Sequence, residues 1–144
     1  MPTRLVALVL VPLLAGCAWF RPRPPEYDAH TLPSGLIVRD LVVPEGGGEV
    51  AQGDTIAVHY DLRLVDRSLI ESSTDTGRPL RFQVGEGTLP RGLEEGVLGM
   101  RLFGRRRLTV PPQLGYGAAG RPPRIPPDAT LIFDVELMEH VPVR

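Results

Sequence analysis

Gly115 to Leu137 reads GYGAAGRPPRIPPDATLIFDVEL, a Gly/Pro-dense loop with one tyrosine that runs straight into an alternating apolar strand. Its first six residues fit the GxGxxG spacing of dinucleotide-binding loops, which work because a helix begins at once and offers its N-terminus to pyrophosphate. No helix can begin here. Pro122, Pro123, Pro126 and Pro127 lack backbone donors, and each disfavours helical geometry in the residue before it. The stretch therefore reads as a stiffened loop holding Tyr116 and Ile125 above a sheet. In the strand that follows, Leu131, Phe133, Val135 and Leu137 share one face, and Ile132, Asp134, Glu136 and Met138 the other.

The same period of two recurs upstream. Ile56, Val58, Tyr60, Leu62 and Leu64 alternate with His59, Asp61 and Arg63, so Thr55–Val65 is a half-buried strand with Tyr60 pointing inward. Leu80, Phe82 and Val84 alternate with Arg81 and Gln83, and Gly35–Val43 and Arg105–Val110 supply two more strands. Only Arg91–Met100 favours a helix, with Leu93 and Val97 four apart, and Gly92 and Gly96 each weaken it by ~1 kcal/mol relative to alanine. The expected fold is α+β: a five- to six-stranded antiparallel sheet wrapped around one short helix, with Tyr60, Phe82, Leu93 and Phe133 lining the space between. Such a hollow has the character of a small-ligand pocket.

The N-terminus sets a compartment. Met1–Cys17, MPTRLVALVLVPLLAGC, has a short n-region with Arg4, an apolar run from Leu5 to Leu14 and small residues before a cysteine, the layout of a secretory signal. Leu14, Ala15, Gly16 and Cys17 resemble the lipobox of bacterial lipoproteins. On that reading residues 1–16 are a signal peptide and Cys17 is the lipidated N-terminus, anchored in a membrane by more than one acyl chain. Residues 17–34 form a Pro-rich linker, with prolines at 22, 24, 25 and 33, and residues 35–144 form one domain with room for a single core. Ala18 favours the outer membrane if the cell is Gram-negative, facing the periplasm; otherwise the domain faces the cell exterior.

Several function classes fall away. The formal net charge is −1, which argues against a nucleic-acid partner, and no aromatic residues interleave the basic run Arg105–Arg107. Alternation sends Arg105 and Arg107 to one solvated strand face with Thr109. Cys17 is the sole cysteine and His30, His59 and His140 are widely separated, so no metal site and no cofactor are expected. Glu94 and Glu95 are helix neighbours that do not share a face, and they read as electrostatic support for the helix start rather than as an acid–base pair. All sixteen basic residues are arginine, which excludes Schiff-base lysine chemistry and reads as genomic composition bias.

At four places the chain resembles a known family. VHY at Val58–Tyr60, RGLEEGVLGM at Arg91–Met100, YGAAG at Tyr116–Gly120 and IPPDATLIFDVEL at Ile125–Leu137 are similar, in order and spacing, to FKBP-type peptidyl-prolyl cis-trans isomerases. The resemblance covers about Leu36–Met138. It implies an isomerase, or rotamase, acting as a monomer on proline-containing unfolded or extended polypeptides. It further implies that Tyr60, Phe82, Tyr116 and Phe133 form the catalytic surface, with Ile70, Glu71, Leu80, Leu89, Pro90, Leu93, Arg121 and Ile125 binding substrate around them. The Tyr116 hydroxyl would donate to a substrate carbonyl. Tyr116 also reads as a surface aromatic stiffening its loop, and Tyr60 and Phe133 serve equally well as ordinary core.

The chain departs from the family's pattern at several of these positions. Ile70 and Glu71 stand where the family usually has phenylalanine and aspartate, Leu93 replaces a frequent tryptophan, and Arg121 replaces a smaller polar residue. Pro90 lies where the pocket ordinarily offers a backbone N–H. Two functions therefore remain open from sequence: an isomerase assisting exported proteins at a membrane surface, or a catalytically weak relative that uses the same groove as a chaperone or interaction module.

Overall fold

A computed structural model describes residues 27–144; the stretch read as a signal peptide, Cys17 and the part of the expected linker up to residue 26 lie outside the described residues. The chain runs β1 (His30–Thr31), β2 (Ile37–Val42), β3 (Thr55–Leu64), β4 (Leu69–Ser72), α1 (Ser73–Thr76), β5 (Leu80–Gln83), α2 (Arg91–Gly96), β6 (Arg105–Val110), a 3-10 turn (Pro112–Leu114) and β7 (Leu131–Val141). All strand pairs are antiparallel, in the order β1-β2-β6-β7-β3-β4. Strands β5 and β4 share the remaining edge of β3, β5 against Thr55–Val58 and β4 against Asp61–Arg63. This is the expected α+β architecture, with seven strands rather than five or six. The two strands not foreseen are β4 and β1, and β1 lies inside the stretch read as a linker.

The long pairing of β3 with β7 forms the centre of the sheet, and its alternation is the one the sequence displays. Along β7, Leu131, Phe133, Val135 and Leu137 are buried, while Ile132, Asp134, Glu136 and Met138 are half-exposed. Helix α2 lies on the buried face and adds Leu93 and Val97, at the helix end, to the same buried cluster as Leu108, Val58 and Leu137. Each such side chain taken fully out of water contributes roughly 1.5–3 kcal/mol.

The helix is shorter than Arg91–Met100, and its neighbours explain why. A Cβ on Gly92 would stand 2.5 Å from Val110 Cγ1, and one on Gly96 would stand 2.3 Å from Leu108 Cδ1. The two glycines thus weaken the helix and let its backbone lie directly on β6. Arg106, in phase with buried Leu108 and Val110, turns inward. Its Nη1 donates to the carbonyls of Gly96 (2.9 Å) and Leu98 (2.8 Å), and its Nε donates to Asp40 (2.6 Å). The carbonyls that would continue the helix are taken by a guanidinium instead.

On the other face Arg107 makes two hydrogen bonds to Asp134 (2.6 and 2.8 Å), as a solvated strand face requires. At the edge of the sheet, buried Asp54 accepts from Ala51 N–H (2.9 Å) and Val143 N–H (2.9 Å) and pairs with His140 Nε2 (2.7 Å). The Ala51 amide, followed by His140 and the Val143 amide, lowers the Asp54 pKa to about 2.

Candidate functional site

Strand β3 delivers Tyr60 and Leu62 to the concave face, and its register with β7 sets Leu62 opposite Phe133. The Tyr60 and Phe133 rings lie 6.1 Å apart, tilted by 49°. Ser73, at the start of α1, holds Tyr60 from behind: its hydroxyl accepts from the Tyr60 N–H at 2.7 Å. Leu93 projects from the first turn of α2, and Leu80 enters from the start of β5. Leu89 and Pro90 close the side beneath the helix start. Together they enclose a cavity of about 210 Å³ whose mouth carries Glu71, Tyr116 and Arg121. That is small beside the roughly 300–1,000 Å³ of drug-sized sites and suits one residue of a peptide.

The mouth is a continuous polar chain. Tyr60 donates from its hydroxyl to Glu71 Oε1 at 2.6 Å, and Glu71 Oε2 lies 3.7 Å from Arg121 Nη1. Arg121 donates in turn to the Tyr116 hydroxyl at 3.3 Å, with its guanidinium 5.7 Å from the centre of that ring. Burial, and then the neighbouring Glu71 carboxylate, raise the Tyr60 pKa far above its ordinary value, so the phenol stays a donor.

The loop carrying Tyr116 and Arg121 contains no helix. It is folded by Gly117 N–H to Pro112 O (2.8 Å), Asp128 N–H to Gly117 O (3.0 Å) and a reciprocal Arg121–Ile125 pair. Gly120 has φ +62°, and a Cβ there would stand 2.5 Å from Pro126 O, so only glycine allows this fold-back. The glycines of GYGAAG serve loop closure rather than phosphate binding.

Most residues expected at the site converge on it: Tyr60, Glu71, Leu80, Leu89, Pro90, Leu93, Tyr116, Arg121 and Phe133 all line the cavity. Phe82 does not. It is buried (6% exposed) opposite Ile56, two register positions farther along β3 from the pocket than Leu80, and belongs to the core. Ile70 and Ile125 are buried beside the pocket, under an adjoining hollow. Leu62, a residue sequence reasoning did not assign to the site, lines the pocket; its parity with Tyr60 was the available signal.

The glutamates behave differently from electrostatic caps alone. Glu94 sits in the first turn of α2 but accepts from the Gly87 N–H (3.0 Å), tying down the loop that leads to Leu89 and Pro90. Glu95 accepts from the Ser34 hydroxyl (2.6 Å). Pro90 carries no N–H, and its carbonyl accepts the first helical bonds, from Leu93 (2.9 Å) and Glu94 (3.3 Å).

A twisted antiparallel sheet closed on one short helix thus frames a residue-sized apolar pocket under a hydrogen-bonding mouth. A family model described as FKBP-type peptidyl-prolyl cis-trans isomerase matches residues 46–138, and the chain belongs to that family. It is 45% identical over 106 residues to the FK506-binding protein of Neisseria meningitidis serogroup B, covering 73% of this chain and 95% of that one. It is 45% identical over 114 residues to FK506-binding protein 4 of Dictyostelium discoideum, covering 79% of this chain but only 30% of the relative. Among solved structures, that of AtFKBP13 superposes with a TM-score of 0.72 at 33% identity, over 78% of this chain and 98% of the other.

Proposed function

We propose that this chain is a peptidyl-prolyl cis-trans isomerase tethered to a membrane, where it assists the folding of exported proteins. The observation that carries the activity is the pocket itself, with Phe133, Leu93 and Leu80 as its apolar lining and Tyr60, Glu71 and Tyr116 at its mouth. Turning an X-Pro bond means overcoming amide resonance, a barrier of roughly 18–20 kcal/mol, with no bond broken and no proton transferred. The planar amide is the more charge-separated form. A pocket that strips water from it while gripping the proline ring relatively favours the twisted state, and the Tyr116 hydroxyl can donate to a carbonyl of that state.

The membrane reading rests on the lipobox ending at Cys17 and the proline-rich stretch after it. Strand β1 is antiparallel to β2, so residues 27–29 lead into it from the Val42 end of β2. That end adjoins Arg105, where β6 begins, whereas Tyr116 and Pro90 gather where β6 ends. The described chain thus enters the fold at the end opposite the pocket.

The test is acceleration of cis-to-trans relaxation of Leu-Pro peptides by the detergent-solubilised full chain. Uncatalysed relaxation takes tens to hundreds of seconds, so catalysis is read directly. Measurable peptide affinity with relaxation no faster than buffer would instead establish the second reading, a binding module, which the missing Pro90 N–H favours. Cys17→Ser should release the protein from membranes, and continued attachment would rule out the lipid anchor.

A further inference from the structure

Beside the proline pocket lies a second hollow of about 240 Å³ that shares Glu71 and Arg121 with it. Ile70 and Ile125, 8% and 1% exposed, form its apolar floor, and Arg121 and Arg124 stand at its edge on the 121–125 hairpin. Two arginines and one carboxylate thus line the same hollow. That carboxylate is already engaged, with Oε1 on the Tyr60 hydroxyl at 2.6 Å and Oε2 at 3.7 Å from Arg121. Among the described residues Arg124 has no ion-pair partner.

We propose that this hollow is a second subsite that takes an acidic side chain next to the substrate proline, with its methylenes on Ile70 and Ile125 and its carboxylate between Arg121 and Arg124. The inference rests on the reading of the neighbouring cavity as the proline pocket. An apolar floor under a net positive edge is complementary to glutamate, whose stem is apolar and whose head is anionic. Guanidinium is the cation best shaped for that head, since its planar donors match a carboxylate in pairs. Arg121 reaches both cavities, so a carboxylate bound to it also touches the chain of hydrogen bonds that ends on Tyr116.

The experiment compares matched peptides bearing Glu, Gln or Lys immediately before the proline, and a second set bearing them immediately after it. Affinity is measured by fluorescence polarisation and kcat/KM by relaxation, both on the full chain. At low salt the Glu peptide of one set should bind about two- to fivefold tighter than its Gln isostere, the upper part of the range for an exposed ion pair. The ratio should shrink toward one as salt screens it. The double variant Arg121→Glu, Arg124→Glu should favour Lys over Gln, a gain that a misfolded protein cannot produce. A Glu/Gln ratio of one in both sets, or a ratio that survives charge reversal, overturns the subsite. Affinities decide the matter even if no peptide relaxes faster, so loss of the isomerase reading and loss of this one are separate results.

Discussion

The lining of the pocket and its mouth are built by different chemistry. The lining, Phe133, Leu93, Leu80 and Leu89, is continuous with the buried core, and its helix rests on β6 through two glycines. The mouth, Tyr60, Glu71, Arg121 and Tyr116, is held by hydrogen bonds and one loose ion pair between half-exposed groups. The difference teaches that stability and grip are joined in the lining, because the same apolar burial provides both. On the proposed function, the mouth would set which peptide is accepted and could change at little cost to the fold.

The sharpest way to break this contrast is Phe133→Ala. Truncating a buried phenylalanine costs about 3–5 kcal/mol, so denaturant unfolding should shift steeply and isomerisation fall with it. Intact stability in this variant would show the lining to be separable from the core. Gly92→Ala comes next. Its Cβ meets the stiff Val110 side chain, and overpacking of this kind costs about 1–3 kcal/mol, partly offset by ~1 kcal/mol of helix propensity. A net gain in unfolding free energy would mean the helix can lift from β6 without penalty.

Pro90→Ile probes the seam between the two regions. Restoring an N–H there should tighten peptide binding by about 0.5–1.5 kcal/mol in a titration, and flat or weaker affinity would show that no donor is missing. Arg121→Ala should change unfolding free energy by less than ~1 kcal/mol while altering peptide preference; a larger stability loss would make the mouth a structural element.

Asp54 stands apart from both regions and gives the fold an acid dependence of its own. The Asp54 carboxyl is held at about 2 in the fold against 3.8 ordinarily, so its contribution is fully present above about pH 5 and is lost as pH falls through 3.8 toward 2. Unfolding midpoints should stay flat down to about pH 5 and then decline, and Asp54→Asn should flatten that decline. An unchanged acid limb in the variant would assign it to other carboxylates.

Much of this architecture is readable because β3, β5 and β7 alternate cleanly, and parity alone puts Tyr60 and Phe133 on one face. Parity does not report position along a strand. Leu80 and Phe82 share a face, yet two residues of strand, roughly 6.8 Å, separate the pocket from the core. Strand β4 was missed because four residues with a register shift in the pairing carry too little pattern, and β1 because two residues in a proline-rich stretch carry none. Arg106 was passed over because a run of three arginines reads as solvated, although its phase with Leu108 and Val110 already pointed inward.

That inward arginine bears on a chain without a single lysine. Exchange of arginine for lysine would be tolerated at Arg81, whose partner Glu139 needs only a nearby positive charge. At position 106 one side chain must reach Asp40, Gly96 and Leu98 at once through nitrogens fixed in a plane, which a single flexible ammonium cannot do. A drift in nucleotide composition that made lysine codons common would therefore pass easily at positions such as Arg81 and be opposed at forked sites, the two-bond Arg107–Asp134 pair and above all the more buried Arg106, and a lysine scan read by melting temperature would rank them in that order.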